Sequence, residues 1–156
     1  MEILNKGQNI EDFIKLHNDV LAFKIGKELV DISSENLKTT SETIQGLTFQ
    51  DEDGKHIFWH SSAHLMAAAI KNLYPNAKLG TGPAVDNGFY YDVDFGENGF
   101  DNNLKKIEDE MMRLAKQGDK FIRKNISKKE CLELFEGVNE YKCELIENLN
   151  DGDITI

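Results

Sequence analysis

Residues 82–94 read Gly82-Pro83-Ala84-Val85-Asp86-Asn87-Gly88-Phe89-Tyr90-Tyr91-Asp92-Val93-Asp94. Asn-Gly between two apolar runs is a strong hairpin signal, because both residues tolerate the positive φ of a tight turn. The expected strands run from Lys78 to Val85 and from Phe89 to Phe95. Side chains alternate along a strand, so Phe89, Tyr91, Val93 and Phe95 share one face while Tyr90, Asp92 and Asp94 share the other. Tyr91 is expected to point inward. Upstream, from Trp59 to Tyr74, the period changes: Leu65, Met66, Ala69, Ile70 and Leu73 recur at helical spacing until Pro75 ends the run. A helix feeding an antiparallel hairpin places the chain in the α+β class.

Downstream, Leu104, Ile107, Met111 and Leu114 define an amphipathic helix that Gly118 closes. Phe121 to Ile126 reads as a strand. Ser127 and Glu130 form a capping box for a short helix that Gly137 stops. Tyr141, Cys143 and Leu145 alternate with Lys142 and Glu144, which predicts a further strand. Asn150-Asp151-Gly152 turns into Ile154-Thr155-Ile156, where the sequence ends as a strand begins; the expectation is that the domain continues. Towards the start, Asn9 to His17 reads as a capped helix, with Glu11 and Asp12 in its first turn. Val20–Ile25 and Leu29–Ile32 form a hairpin about Gly26-Lys27, Ser33-Ser34 ends the second run, and Thr43–Phe49 reads as another strand. The acidic stretch Asp51-Glu52-Asp53-Gly54-Lys55 is the expected boundary between residues 1–55 and 56–156.

The 156 residues are 40% hydrophobic and 29% charged, enough to build a core. A net charge of −10 argues against a basic nucleic-acid glove or a membrane-surface helix as the whole molecule. The charge is uneven: residues 1–55 hold 6 basic and 11 acidic groups, residues 56–95 hold 2 and 3, and residues 96–156 hold 10 and 14. No leader-like start and no bilayer-length apolar run are present, and the expected location is the cytoplasm. Cys131 and Cys143 have no paired spacing, so neither a disulfide framework nor a cysteine-rich zinc module follows from them.

His60 and His64 stand one helical turn apart and share a face, close enough to bind one metal ion or act on one small ligand. The alternative is a pair of solvated or hydrogen-bonded histidines, and spacing does not decide between them. A zinc-protease reading fails because Ser61 stands where its Glu would be. Leu79-Gly80-Thr81-Gly82-Pro83 lacks the Gly-Lys-Ser/Thr ending of a phosphate loop, and its glycines read instead as places where the loop passes close to a neighbour. Asp86, Asp92 and Asp94 read as the wet side of a strand rather than a metal cage. Lys105-Lys106 and Lys128-Lys129 read as solvated faces, and spacing assigns no role to Lys142 or Cys143.

Taken in order, His60-Ser-Ser-Ala-His64-Leu, the Leu-Tyr-Pro ending at Pro75, the run from Gly82 to Asp94 and Glu140-Tyr141-Lys142-Cys143 resemble the amino-terminal region of bacterial threonyl-tRNA synthetases. The resemblance covers nearly the whole chain. It implies that residues 1–55 are a partial TGS domain, β-grasp-like and without its usual opening strands. Residues 56–156 would then be a mixed α/β editing domain, with a central His-bearing helix packed on antiparallel strands. In that family the editing domain hydrolyses serine wrongly attached to threonine tRNA, a task set by the small energetic difference one methyl group makes. Carried over by matching motif, His60 and His64 line the catalytic pocket, and Lys142 and Tyr91 are further pocket residues. His60 would position or deprotonate water, and Lys142 would hold the tRNA end or stabilise developing charge. The implied partner is the 3′ end of tRNA(Thr) in the full-length enzyme; the resemblance implies a homodimer for that parent enzyme, and a monomer is expected for this chain. The family's second half-motif, Asp-x-Cys-x-Gly-Pro-His, does not occur before Ile156. ATP, magnesium and zinc are implied only for an aminoacylation core outside these residues, and no cofactor is expected within them. The isolated chain is therefore expected to be inactive.

Two other readings compete. A zinc-dependent, alanyl-type aminoacyl-tRNA deacylase uses the same His-x-x-x-His helix, but with a later Cys-x-x-x-His pair. A non-catalytic TGS-type module would bind RNA or a nucleotide and leave the histidine face unused.

Overall fold

Asn9 starts the first helix because its side-chain oxygen accepts the backbone N–H groups of Glu11 and Asp12, donors that a helix start leaves orphaned. The computed structural model describes residues 2–4, 9–32, 34, 36–39, 42–97, 99–150 and 152–156; Ser33 and Asp151, named in two of the expected turns, lie outside them. The first elements are β1 (Glu2–Leu4), α1 (Ile10–Leu16), β2 (Ala22–Ile25), β3 (Glu28–Val30), α2 (Asn36–Thr39) and β4 (Ile44–Leu47). The strands form one antiparallel sheet in the order β1-β4-β2-β3. Gly26, at φ +59°, turns the β2–β3 hairpin as expected. β1 was not expected; three residues are too few to show a period. Phe23 is fully buried among Leu4, Phe13, Val20, Val30, Leu37 and Ile44. Burying a side chain of that size contributes about 1.5–3 kcal/mol.

There follow α3 (Glu52–Leu73), β5 (Lys78–Leu79), β6 (Ala84–Val85), β7 (Gly88–Phe89), β8 (Val93–Asp94), α4 (Leu104–Gln117), β9 (Asn125–Ser127), α5 (Lys128–Phe135), α6 (Glu140–Glu147) and β10 (Asp153–Thr155). The chain divides into two compact units, residues 1–61 with 84–88 and residues 62–83 with 89–156. α3 runs through the expected boundary stretch, starting at Glu52 instead of Trp59. Gly54 explains the early start: a Cβ there would stand 2.0 Å from the Thr48 carbonyl oxygen, so only glycine lets the first turn settle on that backbone.

In the second unit, Ala69 and Ile70 of α3 bury against Ala77 and Ile107, with Leu79, Val93, Met111 and Leu114 packed around them. The histidine-bearing helix is thus packed on the antiparallel pair β5–β8, registered Lys78 with Asp94 and Leu79 with Val93. The long hairpin is broken into two short pairs, and its turn is Asp86-Asn87, one residue earlier than expected. α4 ends at Gly118, which takes φ +72°, and the Ser127–Glu130 capping box is present. The strand expected over Phe121–Ile126 is confined to β9, which pairs antiparallel with β10.

One expected strand is a helix. Tyr141–Leu145 is not a strand but part of α6. Alternation over five residues also satisfies a helix whose two faces are both half-covered, and Asn139 decides for the helix by accepting the Lys142 N–H at 3.3 Å. No helix of the described residues is long and apolar enough to cross a membrane.

Candidate functional site

The glycines of the 78–83 loop do what close approach requires. A Cβ on Gly82 would lie 2.2 Å from Tyr91 Cδ2, so the ring rests against bare backbone. Gly80 donates its N–H to the Asp92 carbonyl at 2.9 Å, and Asp92 returns its own to Thr81 at 2.9 Å. Tyr91 is half-buried, as the strand alternation required, and burial pushes its phenol above the ordinary range.

Tyr91 opens onto a cleft of about 590 Å³ within the second unit, walled by the β5–β8 pair and one face of α6. Tyr141, Leu145 and Asn148 line it at the i, i+4, i+7 spacing of one helical face. The Tyr141 hydroxyl donates to Asp94 Oδ2 at 3.0 Å, and the Gly96 N–H donates to Asp94 Oδ1 at 2.8 Å. These two bonds hold the Asp94 carboxyl below the usual range, the Gly96 bond first, so that it is a carboxylate at neutral pH. Lys78 donates to Glu140 Oε1 at 2.6 Å across the same wall. Asn139, only 7% exposed, ties these elements together. Its amide donates to the Leu79 carbonyl at 2.9 Å while its oxygen caps α6.

Lys142 lies on another face of α6, one turn before the buried Ile146. It is half-buried, and desolvation lowers its proton affinity, with Cys131 of α5 exerting the opposite pull. Burial likewise pushes the Cys131 thiol up. Neither Lys142 nor His64 lines the cleft that Tyr91 enters. His60 and His64 are both exposed on α3, one turn apart as the spacing implied. The His64 ring meets the Phe121 ring at 6.1 Å between centroids, tilted 60°. Among the described residues no three His, Cys, Asp or Glu side chains come together as a metal site.

Over 142 residues, 90% of its length, the chain is 47% identical to the threonine–tRNA ligase of Cytophaga hutchinsonii. Its relatives are threonine–tRNA ligases. The Flavobacterium psychrophilum threonine–tRNA ligase is 43% identical over 141 residues, and that of Finegoldia magna 47% over 114 residues, or 72% of this chain. The chain spans about a fifth of the length of these curated ligases: 22%, 21% and 18% respectively. No family model matches it. Similarity to threonine–tRNA ligases is what the order of motifs from His60 to Cys143 pointed to.

Sequence reasoning missed Asn139 and Tyr141 as organisers of this region. A signal for both was present: an Asn just before Glu140 is a helix cap, and Tyr141, Leu145 and Asn148 fit the helical period.

Proposed function

We propose that this chain is the amino-terminal proofreading region of a threonine–tRNA ligase, in which residues 1–55 form the TGS-like part and residues 56–156 the editing part. The reaction is hydrolysis of the ester that joins serine to the 3′ end of tRNA(Thr). The observation that carries this reading is identity of 43–47% to threonine–tRNA ligases spread over nine tenths of the chain.

The kinds of side chain present suit the chemistry. Ester hydrolysis near pH 7 calls for a base that activates water and a group that meets charge developing on oxygen. Imidazole is suited to the first task, and α3 offers His60 and His64 to solvent one turn apart. Lys142 suits the second: its half-buried ammonium gains from a nearby negative oxygen, because burial alone disfavours its charge. Tyr91, braced on Gly82, supplies a fixed wall for substrate.

The test is serine release from seryl-tRNA(Thr), measured for this chain and for the same chain continued with the matching residues of a threonine–tRNA ligase. We expect turnover in the continued form and its loss on His60→Ala. Unchanged release by the His60→Ala variant would sink the proposal.

A further inference from the structure

Lys120, Arg123, Lys124, Lys128 and Lys129 fall within ten consecutive residues that contain no Asp or Glu, in a chain whose net charge is −10. Two apolar residues are interleaved with the first three cations, and both stand in water: Phe121 is 67% exposed and Ile122 is 75% exposed. An aromatic ring left this open adds little to a core. The Phe121 ring meets that of His64, on α3 in the same unit.

Residues 119–124 have no regular secondary structure, yet their far end is pinned. Lys124 and Ile156 exchange backbone hydrogen bonds of 2.8 and 2.9 Å, and Arg123 reaches Thr155 Oγ1 at 3.3 Å. Lys128 is engaged elsewhere, donating to the Glu147 and Leu149 carbonyls, and Lys129 faces Glu133 at 3.8 Å. The cations that border Phe121 in water are therefore Lys120, Arg123 and Lys124.

We propose that Lys120–Lys124 is a binding track for single-stranded RNA, with Phe121 as its stacking platform. Cations spaced along an extended segment meet successive phosphates, and an exposed aromatic face takes a base of any identity. Anchoring a base on Phe121 puts the neighbouring sugar beside His64. This inference deepens the proofreading reading and rests on it for its biological ligand, an RNA 3′ end. It also resolves the acidity of the chain: the contact needs one local basic run, not a basic surface.

The test uses the full chain and a fluorescein-labelled ten-nucleotide RNA ending in CCA, followed by anisotropy at several salt concentrations. Phe121→Ala should weaken binding by roughly ten-fold or more with the salt slope unchanged, since one base stack is lost. Phe121→Trp should restore it. Lys120→Gln with Lys124→Gln should flatten the salt slope by about 1.4, at roughly 0.7 per phosphate contact on a single strand. The track is overturned if the parent chain does not bind the RNA, if Phe121→Ala binds as tightly as the parent, or if the double Gln variant keeps the parent slope. Serine release separates the two readings. RNA binding that depends on Phe121 without hydrolysis in the continued chain keeps the track and removes the proofreading role. Hydrolysis with an unchanged KM in Phe121→Ala does the reverse.

Discussion

The ring of Tyr91 rests on the backbone of Gly82 so closely that the smallest side chain at position 82 would overlap it, at 2.2 Å from Cδ2. Substituting Gly82→Ala must therefore move either the ring or the loop. Overpacking of this kind costs about 1–3 kcal/mol. We expect a lower midpoint in urea unfolding and displaced Tyr91 ring resonances in NMR spectra. A variant with parent stability and unshifted resonances would show that the contact is looser than described.

Asn139 satisfies groups on two elements at once, the Leu79 carbonyl of β5 and the Lys142 N–H of α6. Removing it in Asn139→Ala deletes a cap and orphans a partly buried carbonyl, a loss of about 1–3 kcal/mol. Asn139→Asp keeps the cap but has no proton for Leu79. Denaturant midpoints should thus fall in the order parent, Asp, Ala. Equal midpoints for all three would contradict the role given to this side chain.

Burial lowers the proton affinity of Lys142, so between its folded pKa and the ordinary lysine value of 10.5 the unfolded chain binds more protons than the folded one. Stability from this group accordingly rises with pH through that window and is at its least below it. The substitution Lys142→Met should flatten the rise and stabilise the neutral-pH protein. Chemical denaturation from pH 7 to 11 reads both effects.

Acid lowers stability at Glu110 too, but here because it removes a favourable interaction. Hydrogen bonds from Arg113 first, and then from Asn72, bring its carboxyl down to about 2. Its contribution is complete above the ordinary glutamate value of 4.5 and is lost as pH falls from there towards about 2. A Glu110→Gln variant should show a shallower decline of stability between pH 5 and roughly pH 2. Carboxyl chemical shifts offer a direct check, since Glu110 should still be ionised at pH 3 where exposed glutamates are not.

How much of this was legible in the residues depends on how local the deciding interaction is. The Ser127–Glu130 capping box, the Gly118 helix end and the Gly26 hairpin are settled by neighbours in sequence, and each was read correctly. The inward set of Tyr91 followed from strand alternation alone. α6 failed because its evidence is split: five residues from Tyr141 alternate like a strand, while the helical signal needs Asn139 and Asn148, outside that window. The start of α3 failed for a different reason. An acidic stretch containing glycine reads as a linker, and nothing in it discloses that Gly54 is needed by the Thr48 carbonyl. For the candidate site, the one-turn spacing of His60 and His64 was evident, but the exposed ring of Phe121 beside His64 was not, because long-range side-chain contacts leave no mark in a period.

Gly54 has one more consequence, for anyone who cuts or grafts this chain. Composition invites a division at Asp51–Lys55, yet there the Asp51 N–H binds the Thr48 carbonyl at 3.0 Å, the Asp51 carboxylate accepts the Thr48 N–H at 2.9 Å, and the Lys55 N–H binds the Asp51 carbonyl at 2.8 Å. Thr48 through Lys55 is one splice unit. An excised histidine-bearing helix that began at Glu52 would leave behind the residues that start it, and a transplanted sheet that ended at Gln50 would carry a threonine backbone with its partners gone.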